Sequence, residues 1–394
     1  MLTALALHLS LLGMFSACSD TGDDASDDPV STSAAEETTV SAPATTPAVT
    51  PDITSPVQTT VPTESTAPQT EPETSAAATT QATEATNPSA QTTVTSPPPV
   101  TAAPPTAAGT AATTSPPPAA PAVSYVREPQ ASGTVVYQNA KAYIDASNAS
   151  EGYFMAKFTG GGDKRIRLRL VKDGAVLYTS ELNNAGRFET YSFTASSGSY
   201  QIFVYENVTG TQYAQVLAQD LSVTLTSELL PYLYPNQTVN FSGSSAAVKK
   251  AAELCAGLST DAQKTAAIYG YIVQTISYDR QKAADAGAGR LVGYTPSPDA
   301  TLSSGSGICY DYASLFAAML RSQNIPAKLV KGNVAPDGLY HAWNLVYLQS
   351  DGTIAPGISA GAGGWKLLDT TFAAGGADTG FLNNSGNYTA TSFF

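Results

Sequence analysis

The feature that most constrains this chain is a break in composition at Ser124. Before it there is no Lys, Arg, Tyr or Trp, and Phe15 is the sole aromatic residue, while 18 of the 26 Pro fall there. A stretch so poor in large apolar groups cannot bury enough surface to offset its ordering entropy, so it is not expected to fold. The charge divides at the same place. Twelve acidic and no basic residues precede Ser124, whereas 20 Asp and Glu face 19 Lys and Arg after it, so nearly all of the net charge of −13 belongs to the first part. The part expected to fold is almost neutral, which excludes a basic nucleic-acid binder.

Residues 1–17 are an apolar run with small residues leading into Cys18. This is the form of a secretory signal, too short for a permanent membrane span. Phe15-Ser16-Ala17-Cys18 resembles the lipobox of bacterial lipoproteins. That resemblance implies lipidation of Cys18, a membrane anchor, and a place on the outer face of the cell membrane, with simple secretion as the alternative. From 18 to 123 the Thr/Pro/Ser/Ala-rich order suggests a solvated tether. It would span on the order of 60 Å as a coil and roughly 300 Å as extended polyproline.

Between 124 and 227 short alternating runs are separated by turn residues. In KRIRLRL, Ile166, Leu168 and Leu170 point one way and Arg165, Arg167 and Arg169 the other. About seven such strands predict an antiparallel β-sandwich. The arginine ridge could grip an anionic polymer; we expect a solvated face that keeps the sheet soluble.

From 228 to 394 helical periodicity appears. Val248, Ala251, Leu254, Cys255 and Leu258 share a face, making Cys255 a small buried hydrophobe. Thr260 with Gln263 forms a capping box ahead of Ile268, Tyr271, Ile272 and Ile276. A Gly- and Pro-rich loop then leads to GICYDYASLFAAMLRSQNIPAKLVKG, an amphipathic helix that begins at Cys309 and stops before Pro326. Unpaired N–H groups and the positive dipole end of a helix favour a thiolate, which suits Cys309 as a nucleophile. His8 lies in the leader, so His341, opening the strand HAWNLVYL, is the imidazole left to serve as its base. Asp369, at the end of the strand in WKLLDTTF, is placed to orient that ring. The spacing of Cys309, His341 and Asp369 does not suit a common zinc site, so no metal and no cofactor are expected. A disulfide between Cys255 and Cys309 would remove the nucleophile, so both thiols are expected to be free.

These three motifs, in this order, resemble the transglutaminase-like superfamily over about Ala262 to Phe372. Added to the antiparallel β-sandwich expected from the strand spacing, the resemblance implies an α+β chain, the N-terminal sandwich being followed by a papain-like transglutaminase core with a helix-borne cysteine packed on an antiparallel sheet. It implies a Cys309–His341–Asp369 triad acting on amide or peptide bonds through a thioester, with Tyr278 in ISYDR as a candidate oxyanion donor. Many members have Glu where Asn344 stands. The expected partner is a protein or peptide substrate, cell-wall peptide included, and a monomer is expected. A non-catalytic cell-wall or host-binding protein on the same scaffold is the alternative. The Gly-rich tail from Gly375 to Tyr388 carries no readable chemistry.

Overall fold

The alternating runs fold as read, with one more strand than expected. In a computed structural model, which describes residues 123–394, eight antiparallel strands come first. They are β1 (Val136–Gln138), β2 (Ala142–Asp145), β3 (Tyr153–Phe158), β4 (Ile166–Lys172), β5 (Ala175–Leu182), β6 (Glu189–Ser192), β7 (Gly198–Thr209) and β8 (Gln212–Val223). The leader, Cys18 and the tether lie outside the described residues. The run TVVYQNAKAYID is two strands rather than one, because the Asn139 side chain accepts from the Lys141 and Ala142 N–H groups and turns the chain.

These strands make two four-stranded sheets, β1-β2-β3-β6 and β5-β4-β7-β8, whose inner faces share one core. Ile166, Leu168 and Leu170 of β4 are fully buried, each contributing roughly 1.5–3 kcal/mol. The opposite face of β4 differs from expectation. Arg167 is only 15% exposed and its guanidinium lies 4.5 Å from the centre of the Tyr213 ring, while Arg165 pairs with Glu181. The ridge is a half-buried, partnered surface, because Glu181 of β5 and Tyr213 of β8, on other strands of the same sheet, pack against it.

That second half contains α1 (Ala246–Leu254), α2 (Asp261–Thr275), β9 (Ser277–Tyr278), α3 (Arg280–Gly287), α4 (Pro298–Ser304), β10 (Ser306–Gly307) and α5 (Cys309–Arg321). Then follow β11 (Ala327–Val334), β12 (Leu339–Leu348), β13 (Gly352–Ala355), β14 (Ile358–Ala360), β15 (Gly364–Leu368), α6 (Thr370–Ala374), α7 (Thr379–Asn383) and β16 (Tyr388–Phe393). An antiparallel sheet in the order β15-β12-β11-β16 carries α5. α1 ends earlier than its periodicity suggests: Cys255 is its C-cap and Gly257 is left-handed, so Leu258 lies beyond the helix. The capping box forms, with Gln263 N–H donating to Thr260 Oγ1 and Thr260 N–H to Gln263 Oε1. The Gly/Pro-rich loop is not all loop. Ser297 and Pro298 start α4, and β10 then pairs in parallel with β9.

The central helix α5 is more buried than an amphipathic pattern implies: Cys309 and every residue from Asp311 to Arg321 are buried. α1, α2 and the sheet enclose it, so its polar residues need internal partners. Ser314 donates to Thr238 O, and Arg321 donates to the carbonyls of Ala327, Tyr234 and Phe394. Burial pulls the Arg321 pKa down to about 9, so the cation persists at neutral pH. Asn324 is left-handed and Pro326 follows, which ends the helix.

All described residues fall in one compact unit. Tyr178 of β5 lies 5.3 Å from Phe394, Asn236 Nδ2 donates to Ser192 Oγ, and Tyr125 N–H donates to Ser322 O. No helix among the described residues is long and apolar enough to cross a membrane.

Candidate active site

β12 and β15 run antiparallel with Asn344 opposite Leu368, so the residue that follows β15 falls beside the start of β12. That residue is Asp369. Its Oδ2 lies 2.8 Å from His341 Nε2, and both side chains are 1% exposed. Asp369 is also the N-cap of α6, accepting the Phe372 N–H at Oδ1. The same short turn brings the Phe372 ring parallel to the imidazole at 4.1 Å. Backbone capping, ring stacking and a carboxylate together fix the orientation of His341. With Nε2 turned to the acid, Nδ1 is the nitrogen placed to act as a base.

The acid has a further partner that the linear sequence did not show. Tyr388, read as part of a tail without chemistry, opens β16 and donates its O–H to Asp369 Oδ2 at 3.2 Å. Burial and the neighbouring Asp369 charge hold the Tyr388 phenol well above its usual pKa, so it remains a donor. Burial, with a smaller contribution from Asp369, also raises the Tyr269 phenol. Nothing local links Tyr388 to Asp369; the β11–β16 pairing does.

Cys309 is the first residue of α5 and is 1% exposed. Two contacts fix which end of β12 it approaches. Asn344 Nδ2 donates to Ala313 O, one turn along the helix, and Lys331, cross-strand partner of Ala342, lies over the Tyr310 ring at 4.0 Å. The Cys309 end of the helix therefore lies toward the His341 end of the strand. Asn344, at the position where many family members carry Glu, is fully buried and also donates to Lys328 O, so here it ties helix to sheet.

Asp311 anchors the start of the helix. It is fully buried; its Oδ2 accepts from Ile308 N–H at 2.8 Å and from Lys282 Nζ at 2.7 Å, and its Oδ1 accepts from the Tyr294 hydroxyl. An acid three residues after the N-cap was a readable signal for this role. Gly307 is required by the same contact, since a Cβ there would stand 2.6 Å from Asp311 Cβ. Tyr278 is the β9 register partner of Gly307, two residues before Cys309, and burial raises its phenol so that it too remains a donor.

Of the two cysteines among the described residues, one departs from the expectation that both are free. Cys255 is free and buried, and burial pushes its thiol up to about 11. Cys309 is disulfide-bonded, and because Cys255 is free the bond does not join these two. Nucleophilic chemistry at Cys309 therefore concerns its reduced form.

Helix-borne cysteine, strand-borne histidine and an aspartate at the end of the next strand define a class of protein. The family model of the transglutaminase-like superfamily matches residues 248–369, the segment that carries Cys309, His341 and Asp369. No curated protein matches the sequence. Among solved structures, a candidate cysteine protease from Cytophaga hutchinsonii is 16% identical, with 66% of this chain and 74% of that one covered and a TM-score of 0.32. A candidate protease from Parabacteroides distasonis is 14% identical over 48% of this chain and 37% of its own, with a TM-score of 0.24. Domains d3–d4 of the rat CD45 extracellular region are 14% identical over 36% of this chain and 87% of theirs, with a TM-score of 0.18. Likenesses of this size say nothing about substrate or mechanism.

Proposed function

We propose that this protein is a cysteine enzyme that breaks or transfers acyl groups at amide bonds. The observation that carries the reading is the buried 2.8 Å His341–Asp369 pair, set at the end of β12 toward which the helix-borne Cys309 points its first turn. His341 Nδ1 takes the proton of the reduced Cys309 thiol, and the sulfur attacks the amide carbon. The carbonyl oxygen becomes an oxyanion facing the Cys309 N–H and, on this reading, the Tyr278 hydroxyl. The imidazolium then gives its proton to the departing amine and a thioester remains. Water resolves it in a hydrolase and an amine in a transglutaminase. Asp369, steadied by Tyr388, holds the ring and stabilises the imidazolium.

For the form whose Cys309 thiol is reduced, lipidation at Cys18 and display on the outer face of the cell membrane belong to the same proposal. Protein or peptide, cell-wall peptide included, is the substrate class. The test is to incubate the reduced full-length protein with a peptide mixture, quench with acid and measure intact mass. An acyl adduct on Cys309, lost in His341→Ala, is expected; resolution by added amine against water then separates transfer from hydrolysis. If the reduced Cys309 forms no adduct and alkylates no faster than a free thiol, the catalytic reading fails and the non-catalytic surface-binding alternative takes its place. Release of the protein from membranes by Cys18→Ala checks the anchor.

A further inference from the structure

Two helices begin side by side at the nucleophile. β9 and β10 pair in parallel and Asp279 N–H donates to Gly307 O, so α3 leaves one strand and α5 the other at the same edge. Lys282 stands in the first turn of α3, where the positive end of a helix disfavours a cation. Its reach across to α5 offsets that local cost. Lys282 Nζ lies 2.7 Å from Asp311 Oδ2 and 4.2 Å from the centre of the Tyr294 ring, whose hydroxyl accepts from Nζ and donates to Asp311 Oδ1.

This cluster bears on Cys309 through charge. Asp311 Oδ2 also accepts the Ile308 N–H at 2.8 Å, so a fully buried carboxylate closes on the residue just before the nucleophile. Alone, that carboxylate would oppose a thiolate, because a second anion is disfavoured beside the first where water is excluded. It would cancel part of what the helix N-terminus contributes. Among the described residues Lys282 is the cation paired with Asp311. The other titratable groups around this end are Asp279, which caps α3, the phenols of Tyr278 and Tyr294, held neutral chiefly by burial, and Tyr310 with Lys331 over its ring. The sheet adds His341 paired with Asp369, and α2 adds the Tyr269 phenol, which burial also keeps neutral.

We propose that Lys282 is a positioning residue that acts on the nucleophile through Asp311: by neutralising that carboxylate it keeps the reduced Cys309 thiol acidic enough to react near neutral pH. The proposal rests on the acyl-transfer reading, but thiol ionisation tests it without turnover. In reduced full-length protein, alkylation of Cys309 by iodoacetamide is followed from about pH 4 to about pH 10 by peptide mass, which separates it from Cys255. Lys282→Met should raise the apparent pKa of the thiol by about one pH unit, and Asp311→Asn should lower it by a similar amount. The double variant should return close to the native value, because both charges are gone. The Lys282→Met difference should shrink as salt rises, since the Lys282 side chain is 26% exposed.

Acyl-enzyme formation by Lys282→Met should be about tenfold slower near neutral pH and recover when the pH is raised by about one unit. If Asp311→Asn does not fold, this recovery and the salt dependence of Lys282→Met carry the test. An unmoved ionisation curve in Lys282→Met, or shifts of the same sign in both single variants, overturns the proposal and leaves the pair with a structural role at the start of α5. Opposite shifts in a protein that forms no acyl adduct support the charge balance and sink the acyl-transfer reading instead.

Discussion

His341 shares its Nε2 edge with Asp369, and that carboxylate is itself held by the Phe372 N–H and the Tyr388 hydroxyl. Asp369→Asn keeps the shape but favours the wrong tautomer, so kcat should fall about 10³- to 10⁴-fold in steady-state assays with a peptide substrate. Tyr388 touches no reacting atom. As a positioning residue, its Tyr388→Phe variant should lower kcat roughly tenfold while leaving KM unchanged; a change confined to thermal stability would assign it to packing alone. Cys255 gives a pH signature. Its folded pKa of about 11 stands above the unfolded value, so the stability it contributes is complete below about pH 9 and is lost as pH rises through about 11. Chemical denaturation across that window should show Cys255→Ala losing less stability than the native chain, by up to about 2 kcal/mol. At residue scale the His341–Asp369 contact was legible because residue scarcity and chain order narrowed the choices. Tyr388 was not, because its partner lies 19 residues away and only sheet pairing brings them together.

At the scale of elements, the start of α5 depends on a close packing of β10 on the helix. Gly307→Ala would force a methyl group into Asp311 Cβ, and a shift of either partner should cost about 1–3 kcal/mol and lower activity by displacing Cys309. Thermal melts paired with thioester-formation rates check both effects. The helix itself was readable from its first residue to its proline stop. Its full burial was not, because periodicity reports one apolar face, whereas here Ser314, Arg321 and Asp311 are satisfied by carbonyls and side chains from distant segments. The same limit explains the loop before it: seven residues of α4 and two of β10 carry too short a pattern to stand out from Gly and Pro.

Across the whole molecule, sandwich and core share buried contacts that neither could satisfy alone, among them Tyr178 with Phe394 and Asn236 with Ser192. The described part should therefore unfold in one calorimetric transition, with equal van't Hoff and calorimetric enthalpies; two separated transitions would show that the halves are independent. By itself the sequence determined the break at Ser124, the alternation that makes β-strands, the order of the Cys, His and Asp motifs and the caps that start the helices. Each of these depends on composition or on neighbours a few positions apart. Only the tertiary structure decided that the arginine ridge is half-buried and partnered rather than a solvated face, that Tyr388 supports Asp369, and that Asp311, Lys282 and Tyr294 fix the start of α5. Those outcomes depend on which segments meet across the fold, and the pairing of strands remote in the chain sets that.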